Sequence, residues 1–328
     1  MQKRLVFIRS IVDFLQAENS LYQLGEKALE QVISRPSEIR NAQAGEFTFC
    51  GAKANNPLEL LGETHASLVI VDESIPIDKA LLAEAGVKAV ILSKNARLDF
   101  LRVLQHFFVP SRPSGIHPSA VIAASAVIGQ DVFIGPSCCI QEDVEVGART
   151  VIYGGVHIYE KVHIGQDGTI NSGTVIGKDG WGYERNELGK LEKFPHVGTV
   201  EIGDHVELGA NVVVDRATLG KTIIGSGCKI NNGSHIGHNV EVGEDTIMLP
   251  HGYLGGSSKV GKRCWIGPKA LVRNGVEIGS DVFVGMGSVV TRNIPDGMTV
   301  MGSPAREVED QKKLMKFWSD VIAKSEQG

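Results

Sequence analysis

The stretch "INNGSHIGHNVEVG", residues 230–243, carries two histidines three apart, His235 and His238, inside a run that returns to an aliphatic residue at every sixth position: Ile230, Ile236, Val242. Followed outward, the spacing persists. Eleven hexads run from Ile116 to Ile176, three from Ile202 to Val214, and twelve from Ile224 to Val290. A helix repeats every 3.6 residues and a strand every two, so neither calls for a marker at every sixth position. A hexapeptide solenoid does, with one aliphatic per hexad pointing inward and small residues turning the corners between short strands.

Three hexads complete one triangular lap in the left-handed parallel β-helix that this pattern resembles, so residues 18 apart stack at one strand spacing, ~4.8 Å. Two interruptions are expected as ejected loops: "GKDGWGYERNELGKLEKFPHVG" (177–198) and four extra residues around "RATLGKT" (216–222). Long insertions on a solenoid often lie on its binding face, although a loop is also thermodynamically cheap to tolerate. Outside the hexads, "ASLVIVDES" (66–74) and "VKAVILSK" (87–94) read as buried strands among helical patterns. The expectation is mainly β: an α/β domain over residues 1–110, a β-helix over 111–295 with a loop at 177–200, and a C-terminal helix over 303–325. In that helix Leu314, Phe317, Trp318, Val321 and Ile322 form one apolar stripe. A neighbouring subunit is its expected cover, and an acidic partner protein the alternative.

Composition narrows the function. The chain has 328 residues, a formal charge of −5 and 39 glycines, with no basic surplus to suggest nucleic acid. Its five cysteines form no CxxC pair, so neither a disulfide framework nor a zinc ribbon is indicated. Arg9 and Asp13 break any apolar leader, and no apolar run approaches the ~18 residues of a membrane span. A cytoplasmic protein, at most peripheral to a membrane, is expected.

Three segments narrow it further: "SGTVIGKDGWGY" (172–183), "EKFPHVGTVEIGDHVELGANVVVDRATL" (192–219) and "INNGSHIGHNVEVG". Together with "AGEFTFCG" (44–51) and the domain order, they resemble the UDP-3-O-(3-hydroxyacyl)glucosamine N-acyltransferases of the lipid A pathway over nearly the whole chain. The resemblance implies a homotrimer with sites between adjacent prisms. There a 3-hydroxyacyl chain would pass from acyl carrier protein to the 2-amino group of a UDP-linked, 3-O-acylated glucosamine. It implies no metal and no organic cofactor beyond the phosphopantetheine arm that arrives with the donor.

An amine attacking a thioester must lose a proton, and a group that titrates near neutrality serves this best. The family pattern makes His238 the general base. Gly256, 18 residues on, lies one lap above it, where a backbone N–H would meet a developing oxyanion without Cβ interference. The resemblance points to the same glycine. One lap below, Asp215 and Arg216 are expected to orient the imidazole or contact substrate, or else to close the corner with a salt bridge. His235 stands where the family more often has Gln, and is read as a substrate contact or a solvated neighbour. Asn239 follows the base as the pattern expects and would help hold substrate. His157 and His163 read as structural. A zinc site built on His235, His238 and His251 does not match the expected spacing.

Two positions depart from the family. Its members hold uracil between two aromatics six apart; Phe49 fills the first, but Asn55 stands at the second. Val276 stands where a second histidine is common. An amino-sugar N-acyltransferase with a different acceptor or an acyl-CoA donor is therefore the alternative. Small Ser288 and Val290 are expected to lengthen the acyl groove.

Overall fold

The computed structural model describes residues 5–17 and 20–325. The chain divides into two compact units, Met1–Ser111 and Arg112–Gly328.

In the first unit five strands stand in the order Leu21–Gln23, Ala89–Ser93, Leu68–Asp72, Glu46–Cys50, Arg35–Pro36. All neighbours are parallel except the outermost, Leu21–Gln23. Leu68, Ile70, Ala89 and Ile91 enter one apolar core, and Val69, Val71 and Val90 the other. Burial on both faces is why these strands read as continuous apolar runs rather than as alternating ones.

The second unit is the solenoid, a left-handed parallel β-helix. Its strands pair with the lap above at a separation of 18, as in Ile134 with Ile152 and Ile236 with Leu254. The two insertions leave this register intact: Ile164 pairs with Ile202 across the long loop, and Val214 with Ile236 across the four extra residues. From Ile134 upward the hexad aliphatics are buried in a single interior stack. At almost every corner the residue three places after the inward aliphatic has positive φ, among them Asp131, Asn211, Asn239 and Asp281. Asn and Asp tolerate this left-handed turn better than most residues. The long insertion carries an antiparallel hairpin, Tyr183–Arg185 with Leu191–Lys193.

Ser288 and Val290 correct an expectation. They are 0% and 1% exposed, sealed in the prism, so they do not line an outer groove. The tail helix runs Val308–Ser325, and Leu314, Phe317, Trp318 and Val321 all lie exposed on it.

Ile152 is fully buried in the stack. Ile152→Ala is expected to destabilise the prism by about 2–5 kcal/mol, read by denaturant unfolding of the folded variant beside the wild type.

Candidate active site

The strand His235–Ile236 buries Ile236 and then turns a corner, which leaves His238 half-buried on the outside just before the left-handed Asn239. Asn239 is the hub of the corner. Its Oδ1 accepts from the Thr218 N–H at 3.0 Å and the Thr218 hydroxyl at 2.9 Å, and its Nδ2 donates to the Leu219 carbonyl at 2.8 Å. Its own N–H donates to Thr222 Oγ1 at 2.8 Å. These partners fix which end of the amide is oxygen. His238 Nδ1 lies 3.1 Å from that same Oδ1. An amide oxygen cannot donate, so the neutral ring carries its hydrogen on Nδ1 and keeps a bare lone pair on Nε2. The insertion residues 218–222 thus set the tautomer of His238.

Gly256 sits directly against that lone pair. A methyl at residue 256 would lie 2.5 Å from His238 Nε2. Gly256 is buried, and its N–H donates no hydrogen bond among the described residues. The lap geometry therefore brings together an imidazole with a bare lone pair and an uncommitted amide.

The Asp215–Arg216 pair divides its work, and the expectation that it orients the His238 imidazole is corrected. Asp215, 3% exposed, places Oδ2 at 2.9 Å from His235 Nε2 and Oδ1 at 2.5 Å from Lys178 Nζ. It holds His235, not His238. Arg216 Nε donates to the Gly177 carbonyl at 2.6 Å, Nη1 to Glu160 Oε1 at 2.6 Å, and Nη2 to the Glu160 carbonyl at 3.1 Å. A buried guanidinium must satisfy its donors. The acceptors here lie at the mouth of the long insertion, so Arg216 closes the corner. Burial is the largest single influence and raises the Glu160 carboxyl, but the Arg216 hydrogen bond, a backbone hydrogen bond and the charges of Arg216 and Lys161 together outweigh it, and the group ends below the usual carboxylate range.

His235 also meets the Tyr253 ring edge-on at 5.5 Å. His157 is engaged with Gln141 and stacked on Tyr159, and His163 faces Glu145. Among the described residues no group of three or more His, Cys, Asp or Glu is arranged to hold a metal. Burial pushes the thiols of Cys50 and Cys228 up to about 11, which removes them as nucleophiles at neutral pH.

One site residue escaped the sequence reading. His196, 5% exposed, comes in from the long insertion and meets the His238 ring edge-on, with ring centres 5.3 Å apart. A loop residue obeys no stacking rule, so spacing could not have placed it.

In the first unit Phe49 lines a cavity of about 1040 Å³ together with Phe100, Lys53, Lys94 and Arg97. Phe49 and Phe100 lie 4.8 Å apart, centre to centre. Asn55 is exposed and does not line the cavity.

With this geometry established, comparison with known proteins is decisive. The model of the bacterial transferase hexapeptide (six repeats) matches residues 125–158, 221–256 and 257–292. The hexapeptide repeat of succinyl-transferase matches 199–238. A UDP-3-O-acylglucosamine N-acyltransferase of Coxiella burnetii (strain Dugway 5J108-111) is 34% identical, with 89% of each chain covered. The chain belongs to the UDP-3-O-acylglucosamine N-acyltransferase family. A second member of that family, from Delftia acidovorans, is 36% identical over 81% of this chain and 78% of its own. Among solved structures, UDP-N-acetylglucosamine O-acyltransferase from Moraxella catarrhalis RH4 superposes with a TM-score of 0.52 at 28% identity, covering 58% of this chain and 73% of that one. Among the described residues no helix is long and apolar enough to cross a membrane.

The Glu160 pair yields a pH signature. A carboxyl with a lowered folded pKa adds stability above its unfolded value and loses it as pH falls through the folded one. Glu160→Gln is expected to cost about 1 kcal/mol at neutral pH. The gap to wild type is expected to close below about pH 4, as measured by thermal unfolding across pH.

Proposed function

We propose that this family member transfers a 3-hydroxyacyl chain from the phosphopantetheine thioester of acyl carrier protein to the 2-amino group of UDP-3-O-acyl-glucosamine. The observation that carries the reading is the pairing of a bare His238 Nε2 with the Gly256 amide on the next lap. The amine nitrogen attacks the thioester carbonyl, and its excess proton goes to His238 Nε2. The carbonyl oxygen, now negative, takes a hydrogen bond from the Gly256 N–H. The C–S bond then breaks, and protonated His238 returns the proton to the leaving thiolate, giving amide and free thiol. Asn239 keeps the imidazole in the tautomer that can accept. His235, fixed by Asp215, is the neighbouring substrate contact.

The prism's faces support assembly as a homotrimer. One presents Val121, Cys139, Val175, Val213, Tyr253, Leu271 and Val289 outward, with His157 and His235 the polar members of the row. Another presents Glu145, His163, Glu201, Glu241, Lys259 and Glu277, with Val127 and Ile223 the apolar members. The apolar face suits contact with further copies, and the charged face suits water. A cytoplasmic location fits a donor carried by acyl carrier protein.

Phe49 and its cavity are assigned to the uridine of the acceptor. Because Asn55 stands exposed off that cavity, a changed acceptor or an acyl-CoA donor is the second reading. Offering hydroxyacyl carrier protein and acyl-CoA side by side separates the two.

His238→Ala is expected to lower N-acylation by about 10²–10⁴-fold with the assembly intact. A carrier-protein transfer assay with product mass spectrometry reads it, and near-native turnover would dismiss the base. Phe49→Ala is expected to raise the acceptor KM by about 5- to 150-fold with kcat nearly unchanged, from stacking worth about 1–3 kcal/mol. An unaltered KM would remove Phe49 from the nucleotide site.

A further inference from the structure

His196 has no role in the chemistry above, yet its state is tightly defined. Nδ1 lies 2.9 Å from the Phe194 carbonyl, which can only accept, so Nδ1 carries the hydrogen and the neutral ring has a bare lone pair on Nε2. That Nε2 is buried and has no hydrogen-bond partner among the described residues. Leaving an acceptor buried and unmet costs about 1–3 kcal/mol. Gly180 makes the arrangement possible. A Cβ there would lie 2.7 Å from His196 Nε2 and 3.0 Å from His238 Cδ2, so any larger residue would wedge the two rings apart. The unmet lone pair and the edge of the base ring therefore share one small, closed space.

The charged groups around this space are already matched. Asp179 pairs with Lys193, whose hydrogen bond holds the carboxyl below its usual range. Asp215 serves Lys178 and His235, and Glu160 serves Arg216. Each of these carboxylates is committed to a partner, whereas the lone pair of His196 is not. When the base takes its proton, a positive ring forms beside this lone pair in a water-poor setting, where a dipole counts for more than in solvent.

We propose that His196 is a positioning residue for the transfer: its ring seats the His238 imidazole, and its bare Nε2 stabilises that imidazole while it holds the substrate's proton. The proposal rests on His238 being the base. It also gives the long insertion a part in the reaction, since His196 and Gly180 both come from it.

Two measurements test it. In wild-type protein, nitrogen-15 NMR of the histidine rings is expected to show His196 in the Nδ1–H tautomer at neutral pH; an Nε2–H ring would overturn the proposal, and no substitution is needed to learn this. In the transfer assay, His196→Phe keeps an aromatic edge but removes the lone pair, and His196→Gln returns an acceptor near Nε2. Without that lone pair the protonated His238 ring is less stable, so the Phe variant is expected to move the acidic limb of kcat/KM to lower pH. Its kcat is expected to fall about tenfold with KM little changed, and the Gln variant to recover most of the loss. A Phe variant with native kcat and pH profile refutes the proposal. So does an equal loss in both variants with the limb unmoved, the mark of a merely structural role. Active His238→Ala would sink the base and this proposal together, whereas inactive His238→Ala beside an unaffected Phe variant sinks this proposal alone.

Discussion

Parallel pairing at a separation of 18 residues holds the second unit together, and the juxtaposition of His238 with Gly256 follows from that pairing. Every lap adds one row of backbone hydrogen bonds and one layer of aliphatic side chains to the interior, so Ile236 sits on Leu254 and Leu254 on Val272. A slip of one residue would carry the inward aliphatics out to water along the whole strand, a penalty that makes the register effectively unique. The fixed register in turn fixes which corner lies over which. His238 has Gly256 above it because each stands two places beyond an inward aliphatic, one lap apart.

The same regularity accounts for how the insertions behave. A solenoid lap can eject residues at a corner without disturbing the stack, as the pairing of Ile164 with Ile202 demonstrates. What is ejected then packs back on the corner it left. The short insertion supplies Thr218 and Leu219, which orient the Asn239 amide and through it His238. The long one brings Gly180 and His196 against the same imidazole and Lys178 to Asp215. The repeat provides a rigid level, and the departures from it provide the side chains that adjust the chemistry.

Within the site most polar groups are matched. Asp215 answers Lys178 and His235, Arg216 answers three acceptors, and Asn239 uses both ends of its amide. Two groups beside His238 stand outside this pattern among the described residues: the Gly256 N–H, a donor, and His196 Nε2, an acceptor. They suit opposite charges. An anion developing on a carbonyl oxygen and a cation developing on an imidazole arise together when a neutral amine attacks a thioester and yields its proton.

The amino-acid sequence by itself determined the solenoid, its lap length, the positions of its insertions and the juxtaposition of His238 with Gly256, because all of these follow from a period that the aliphatics display openly. Burial on both faces likewise made the strands Leu68–Asp72 and Ala89–Ser93 legible as apolar runs. The tertiary structure alone decided that Asp215 serves His235 rather than His238, that Arg216 closes a corner, that Ser288 and Val290 face the interior, and that His196 reaches His238. These depend on where side chains of irregular segments find partners. A repeat assigns levels and faces, but a loop's path and a buried charge's choice of acceptor are settled by competition among nearby groups, which no spacing encodes.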